Sequence, residues 1–305
     1  MTERKIGRYT IDLSNADKVY FPDAKFTKGD LVDYYEQIAD TMLPHIKGRP
    51  LTLHRFPDGI GKSGFFQQNR SDHYPDWLDE LAVDHGGNTG EVRHVLANHK
   101  AALVYLADQG VITLHRWLSE QANIEKPDTL IFDLDPPGED FGPVREAARW
   151  VAEAMRELGM TPYVMTTGSK GVHVVAPLRP EAGFDSVRDM AQELARWLAD
   201  QHPDELTTEQ RKNKRKGRIY LDVMRNAFGQ TAVAPYAVRA KPGAPIATPL
   251  EWEELDDKAV KPQTFDLENI MKRVEDRGDP WSGMQRHAVK PGNVAEALKK
   301  LSTNG

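Results

Sequence analysis

The strongest constraint on this chain is a double switch of hydrophobic period between residues 129 and 201. Thr129–Asp135 is an apolar run of strand length. Phe141–Leu158 then repeats apolar residues at helical spacing and is closed by Gly159. Pro162–Thr166 and Val172–Ala176 read as strands on either side of a glycine-bounded turn, and Phe184–Gln201, opened by Asp185, is a second amphipathic helix. Such a segment predicts helices laid against a sheet. Elsewhere the order is irregular. Leu51–Phe56, Val111–His115, Arg218–Met224 and Ala232–Arg239 read as strands. Thr27 caps a helix over about 28–43 with Pro44 beyond its end, Asn98 caps a short helix that stops at Gly110, and short helices fall near 266–276 and 292–301. Residues 57–91, rich in Gly, Pro, Asp and Asn, read as a long loop region of the kind that is usually functional. Strands and helices therefore do not alternate throughout, and the pattern predicts an α+β (mixed α/β) fold, not a doubly wound parallel sheet.

Charge and cysteine content narrow the function. The net charge is −6, which argues against a basic nucleic-acid coat protein. Cysteine is absent, which removes disulfides, a thiol nucleophile and cysteine-ligated zinc. No run approaches the roughly 18 apolar residues of a membrane span, and MTERKIGRYTIDLS lacks the apolar stretch of a signal peptide, so the expectation is a cytoplasmic enzyme that binds no membrane. Cations concentrate at 211–218, six in eight residues, which reads as a solvated basic loop or as a local phosphate patch.

Two glycine patterns mislead. Gly59-Ile60-Gly61-Lys62-Ser63-Gly64 matches G-x-G-x-x-G, but Pro57-Asp58 separates it from the strand and no amphipathic helix follows. A P-loop fails because its leading glycine would fall at Phe56. The informative chemistry lies in Ile131-Phe132-Asp133-Leu134-Asp135-Pro136-Pro137. Strand side chains alternate, so Asp133 and Asp135 share a face, repel each other and invite a divalent cation. Asp222, on the face of its strand opposite Ile219, Leu221 and Val223, is a third acid in need of a cationic partner. Two carboxylates on one strand and one on another suit a two-metal nucleotidyl transfer, and a salt bridge to an arginine is the plainer alternative for Asp222. Thr166-Thr167-Gly168-Ser169-Lys170-Gly171-Val172-His173 places a hydroxyl, an ammonium and turn N–H groups together, either as an anion nest or as an ordinary hairpin turn. His115, Arg225, Arg239 and Lys241 add cationic or hydrogen-bonding groups close in sequence to strand ends.

These segments resemble a known family. DKVYFP (17–22), TKGDLVDYYEQIA (27–39), MLPHIKGRPLTLHRFPDG (42–59), FFQQN (65–69), FDLDPP (132–137), TTGSKGVHVVAPL (166–178) and YLDVMRNAFGQTAVAPYAVRAKPGAP (220–245) are similar, in order, to the polymerase domain of bacterial ATP-dependent DNA ligase D, in the archaeo-eukaryotic primase superfamily. The resemblance implies a primase-polymerase fold: a central antiparallel recognition-motif-like sheet, a second sheet and flanking helices. It implies one domain over 1–305, with a DNA-end-binding part at about 1–110, a catalytic core at about 111–245 and a C-terminal helical part at about 246–305. It further implies template-directed filling of short gaps and ends with a 5′-phosphate in non-homologous end joining, from NTP or dNTP with ribonucleotides accepted. Two divalent ions, Mn²⁺ or Mg²⁺ and not zinc, would serve it, with Ku and an ATP-dependent DNA ligase as partners and a nucleoid-associated location. Asp133, Asp135 and Asp222 match the metal ligands, and His115, Thr167, Ser169, Lys170, His173, Arg225, Arg239, Lys241 and Arg55 match the nucleotide contacts. Lys18 and Lys28 resemble the 5′-phosphate pocket, and Phe65 and Phe66 the pair that stacks on template bases. Two departures stand out: Thr167 where relatives often carry Ser, and Lys241, a point charge where Arg is common. The resemblance covers no ligase or nuclease module, so the reading is a free-standing homologue or an excised domain. Alternatives are de novo priming, excision-type gap filling, or a non-catalytic end-binding module.

Overall fold

The computed structural model describes residues 2–86 and 90–304. The chain divides into two compact units. Unit 1 comprises the chain up to Trp117 with Thr231–Thr248 and Phe265–Asp279, and unit 2 comprises Leu118–Gln230, Pro249–Thr264 and the chain from Pro280. These segments interleave, unlike the consecutive three-part division expected from the resemblance. The physical reason is strand pairing: residues 111–117 and 231–233 join the sheet of unit 1 and draw their segments with them.

Unit 1 opens with two antiparallel pairs, β1 (Thr2–Ile6) with β2 (Tyr9–Leu13) and β3 (Val19–Phe21) with β4 (Phe26–Thr27). Then come α1 (Lys28–Ile46), β5 (Leu51–Arg55), β6 (Phe65–Gln67), β7 (Glu80–Asp84), β8 (Glu91–Val95), α2 (Lys100–Asp108) and β9 (Val111–Trp117). Thr27 and Asp30 form a capping box on α1: Thr27 Oγ1 accepts from Asp30 N at 3.2 Å and Thr27 N donates to Asp30 Oδ2 at 2.7 Å. The apolar stripe of α1 is buried, and Tyr35 in it donates to the Ile112 carbonyl of β9 at 2.7 Å.

Unit 2 is built on β10 (Thr129–Asp135), α3 (Gly142–Glu157), β11 (Tyr163–Thr166), β12 (Val172–Pro177), α4 (Phe184–Gln201), β13 (Leu206–Thr207) and β14 (Ile219–Asp222). The chain then returns to unit 1 for β15 (Thr231–Val233). It re-enters unit 2 with β16 (Thr248–Leu250) and α5 (Trp252–Asp256), gives α6 (Ile270–Arg277) to unit 1, and closes with α7 (Pro291–Asn304) in unit 2. The unit 2 sheet has six strands in the order β13-β14-β10-β12-β11-β16, with the acid strand β10 near its centre. The second sheet runs β15-β9-β5-β8-β7, with β6 on β5. Val144, Ala147, Ala148, Val151 and Met155 form a one-sided stripe on α3, and Val187, Ala191, Leu194 and Leu198 do so on α4, all buried. These stripes are the period signal of the sequence turned into the core of unit 2.

Several local expectations change. Pro44 lies inside α1, which continues to Ile46 because Ile46 is fully buried and His45 Nε2 pairs with Asp279 Oδ2 at 2.8 Å. His99, not Asn98, caps α2, its ring nitrogen accepting from Ala102 N at 3.2 Å, while Asn98 accepts from Gly48 N at 2.8 Å. Gly183 precedes α4 as its cap, and Asp185 lies in the first turn paired with Arg188 at 2.9 Å. The expected loop region 57–91 carries β6, β7 and the start of β8, and its residues 87–89 lie outside the described residues. The strand expected over Ala232–Arg239 shortens to β15, and that expected over Arg218–Met224 ends at Asp222. Two glycines of the 59–64 pattern serve packing: a Cβ on Gly64 would stand 2.5 Å from the Phe56 ring, and one on Gly59 2.8 Å from Tyr20 Cα.

Candidate active site

Backbone register builds the acidic cluster. On one side of β10, Asp133 faces His173 of β12, and on the other it faces Asp222 of β14. Asp135, two residues on, shares that face and stands opposite Tyr220. Like charges directly across a ladder are unfavourable, so this arrangement requires compensation. Asp133 receives part of it: His173 Nε2 is 3.5 Å from Oδ1 and Arg225 Nε is 3.4 Å from Oδ2. Asp222 Oδ1 accepts from Met224 N at 2.9 Å and starts the single 3₁₀ turn Met224–Asn226 that carries Arg225.

Asn226 is a buried side chain to which the sequence alone assigns no role. Fully buried, it accepts from Ile131 N at 3.0 Å and donates to Ile131 O and Val223 O at 2.8 Å. It replaces ladder bonds where β14 stops, so the turn after Asp222 stays fixed to the acid strand. Its only sequence signal was an amide four residues after an acid that ends a strand.

The three carboxylates differ electrostatically. Burial alone would raise Asp133, but the facing His173 and Arg225 outweigh it and hold it below the ordinary carboxylate range. Asp135 is raised by burial and then by the neighbouring Asp133 charge. Asp222 is raised by burial, with the Asp133 charge adding to it against the Met224 N–H. Among the described residues no three His, Asp or Glu side chains stand close enough to cage an ion as they are. The donor set nevertheless fits hard divalent cations: carboxylate oxygens on one face of adjacent strands, with two of the three acids raised by burial and a neighbouring negative charge.

The turn between β11 and β12 is packed onto the end of β10. A Cβ on Gly171 would run into the Leu134 carbonyl oxygen and lie 2.6 Å from Asp135 Oδ1, so only glycine permits this approach. Thr167 closes the turn, its N and Oγ1 both donating to Gly171 O, at 3.0 and 3.1 Å. Thr167 is thus buried and committed to the backbone, while Ser169 is half-buried and Lys170 exposed. Gly168, with a φ of 62°, takes the left-handed bend.

The other sequence-selected residues lie in unit 1. Arg55 donates through Nε and Nη2 to Gln109 O, at 3.1 and 2.7 Å, and through Nη1 to Gln67 Oε1 at 2.8 Å. Its guanidinium ties β5 to β6 and to the residue after α2. Phe65 and Phe66 are exposed, but they oppose Arg55 and His54 respectively across β5 and so point to opposite faces. Phe66 stacks on His54 at 4.0 Å and meets His115 edge-on at 5.7 Å. Phe65 lies 5.5 Å from the Arg55 guanidinium. His54, unselected in the sequence, is lowered by burial and then by the charge of Arg239. Lys241 follows Arg239 on a loop, its N donating to Arg239 O at 2.8 Å. Lys18 is half-buried and paired with Asp58, and also donates to Pro57 O at 3.0 Å. Lys28 is buried: its ammonium bonds Asp108 at 2.7 Å, Ser14 O at 2.6 Å and Ser14 Oγ at 2.9 Å. The expected pair of phosphate lysines is thus one surface cation and one internal one. No helix among the described residues is long and apolar enough to cross a membrane.

Comparison with known proteins places these observations. A family model described as LigD, primase-polymerase domain, matches residues 27–281. The chain is 31% identical over 272 residues to the Multifunctional non-homologous end joining protein LigD of Mycolicibacterium smegmatis, covering 88% of this chain and 35% of that protein. It is 28% identical over 279 residues to the Bifunctional non-homologous end joining protein LigD of Bacillus subtilis, covering 91% of this chain and 44% of that protein. The chain thus spans less than half the length of these relatives. The solved polymerase domain of Mycobacterium tuberculosis Ligase D in complex with DNA superposes with a TM-score of 0.85 at 30% identity, covering 91% of this chain and 99% of that one.

Proposed function

Because this chain belongs to the LigD primase-polymerase domain family, we propose that it is a template-directed nucleotidyltransferase that fills short gaps and extends broken DNA ends during non-homologous end joining. The observation that carries the reading is the register that sets Asp133 beside Asp222, with Asp135 on the same face and the Ser169–Lys170 turn packed against the strand end. The end-joining role follows the names of the relatives, and DNA as substrate follows the DNA complex of the structural neighbour.

Asp133, Asp135 and Asp222 would hold two divalent ions, manganese or magnesium. Such ions supply charge neutralisation at the α-phosphate and acidify the attacking hydroxyl. The reaction is attack of a primer 3′-oxygen on the α-phosphorus, with loss of the hydroxyl proton, cleavage of the bond to the β-phosphate and release of pyrophosphate. In it Ser169, Lys170 and His173 bind phosphate oxygens, and Arg225 offsets the charge of Asp133. Thr167 acts by closing the turn, which leaves sugar discrimination to other groups and is consistent with use of ribonucleotides. His115, Arg239 and Lys241, in unit 1, match nucleotide contacts of the family. Lys18 grips the 5′-phosphate beyond the gap, and Lys28 supports it through the Ser14 loop and Asp108. Phe65 and Phe66 offer π-faces to template bases. Ku and an ATP-dependent ligase are the partners this role requires, in the cytoplasm at the nucleoid.

The test is extension of a primer in a 5′-phosphorylated gapped duplex, with each ribo- and deoxyribonucleotide and each metal. Templated addition that is stimulated by the 5′-phosphate is expected, with ribonucleotides used at least as readily. Addition on unprimed template alone would move the reading to de novo priming, and binding without addition to an end-binding module.

A further inference from the structure

A cleft of about 320 Å³ opens in unit 2 beside the end of the acid strand, between Pro136, Phe141, the Ser169–Lys170 turn and the segment Lys261–Gln263. No motif of the sequence gives that segment a role. It is nevertheless rigidly built. Lys261 N donates to Thr264 Oγ1 at 2.7 Å and Thr264 N to Lys261 O at 3.1 Å, which closes a tight turn. The Arg145 guanidinium on α3 pins the approach to it, donating to the carbonyls of Leu255, Val260 and, at 2.6 Å, Asp257. From this turn Gln263 Nε2 donates to Ser169 O at 2.9 Å.

That bond has a direction that matters. A turn receives a phosphate through N–H groups and hydroxyls, and a carbonyl aimed at the anion repels it. Gln263 takes the Ser169 carbonyl, which fixes this peptide group and leaves the Ser169 hydroxyl and Lys170 ammonium for the ligand. Lys261 brings a second exposed ammonium into the same cleft, where Glu139 is the acid among the lining residues. Two cations and a fixed turn at one opening suit a polyanion longer than a single phosphate.

We propose that Lys261 and Gln263 complete a subsite for the β- and γ-phosphates of the nucleoside triphosphate and for the pyrophosphate released. Lys261 touches the phosphates, and Gln263 is a positioning residue that acts through the Ser169–Lys170 turn. The inference rests on the polymerase reading above.

The experiment titrates a nucleoside mono-, di- and triphosphate and inorganic pyrophosphate, with magnesium, into the full chain and into Lys261→Ala, Lys261→Arg and Gln263→Leu. Gapped-primer extension and thermal unfolding are followed on the same samples. Lys261→Ala should weaken triphosphate and pyrophosphate about tenfold, the loss of one charge-assisted contact, and leave the monophosphate unchanged. Lys261→Arg should restore most of the loss. Gln263→Leu should raise KM for the triphosphate several-fold with little change in kcat. Equal loss for monophosphate and triphosphate, or none for either, in a Lys261→Ala protein that unfolds like wild type overturns the subsite. Lys261 is exposed, so its variant carries the test even where Gln263→Leu folds poorly. A wild-type chain that extends primers while the variants bind as it does overturns this inference alone. A wild-type chain that neither extends nor binds triphosphate overturns the polymerase reading and the subsite with it.

Discussion

In unit 2 the three acids reach one face through strand pairing, so their positions follow from the backbone ladder, whereas in unit 1 the cations reach theirs through side-chain bonds. Asp133 opposite Asp222 is a property of β10 and β14 and survives any rotamer change. Arg55 bonded to Gln109 and Gln67, and Lys28 bonded to Ser14 and Asp108, depend on partners 12 to 80 positions away. Substitutions should therefore divide: in the ladder site, chemistry fails while the fold holds; in unit 1, the fold weakens where the cation is internal.

The largest effect tests the first half of that contrast. Asp133→Ala or Asp135→Ala should lower single-turnover nucleotide addition by at least about 10⁴-fold, more than about 5 kcal/mol in the barrier. Affinity for gapped DNA should stay within a few-fold. Asp135 is raised by burial and by Asp133, so it destabilises the folded state and its removal should leave the melting temperature unchanged or higher. A large fall in melting temperature for Asp135→Ala would mean that the acid is a structural group.

This division also explains what was legible in the sequence. Period-2 alternation put Asp133 and Asp135 on one face and Asp222 opposite Leu221, and register did the rest. The stripes of α3 and α4 were equally plain. Asn226 and Gly171 were not, because their roles depend on which backbone each meets: Ile131 for the first, Leu134 for the second. Lys28 escaped for the same reason. A lysine after a helix cap looks like a surface cation until Asp108, far along the chain, is found beneath it. The interleaved units were hidden because β9 and β15 pair with strands distant in sequence.

The two lysines sharpen the contrast within unit 1. Lys28→Ala leaves the buried Asp108 carboxylate without its ion partner and should cost about 3 kcal/mol in denaturant unfolding. Lys18→Ala removes an exposed pair with Asp58 and should change stability by less than about 1 kcal/mol. On DNA the order should reverse, with Lys18→Ala weakening 5′-phosphorylated gaps more than 5′-hydroxyl gaps. Equal losses on both substrates would make Lys18 a general backbone contact.

A somewhat smaller effect concerns pH. His94 is fully buried, its Nε2 3.0 Å from His85 Nε2 and its Nδ1 3.4 Å from Leu51 O. Burial, opposed by the Leu51 carbonyl and reinforced by His85, lowers it to about 4. An unfolded histidine titrates near 6.5, so between these values the unfolded chain binds a proton that the folded chain does not. This contribution is complete above about pH 6.5 and falls as pH drops towards 4, by about 2–3 kcal/mol. Asp135 and Asp222, raised in the folded state, act with the opposite sign as pH falls. The difference between wild type and His94→Gln, measured by urea unfolding at several pH values, isolates the histidine. A difference independent of pH would show that His94 takes up its proton alike in the folded and unfolded chain.

The smallest effect asks whether unit 2 also holds cations in the manner of unit 1. Within 211–218, Arg215 donates to Glu209 O at 3.0 Å and Gln210 O at 2.7 Å and lies 4.2 Å over Tyr220, the residue opposite Asp135. Arg218 donates to Arg215 O at 3.0 Å and Pro203 O at 3.2 Å. These two arginines build the turn, while Lys212, Lys214 and Lys216 are exposed. Replacing the three lysines by glutamine should change stability by no more than about 0.5 kcal/mol. If they touch DNA, the dependence of log affinity on log salt should flatten by roughly one to three units, because each phosphate contact releases about one counterion. Arg215→Gln should instead lower stability by about 1–2 kcal/mol through lost bonds to carbonyls. An unchanged salt slope in the triple variant would make the run a solvated loop braced by its arginines and leave Lys18 as the principal grip on the 5′-phosphate.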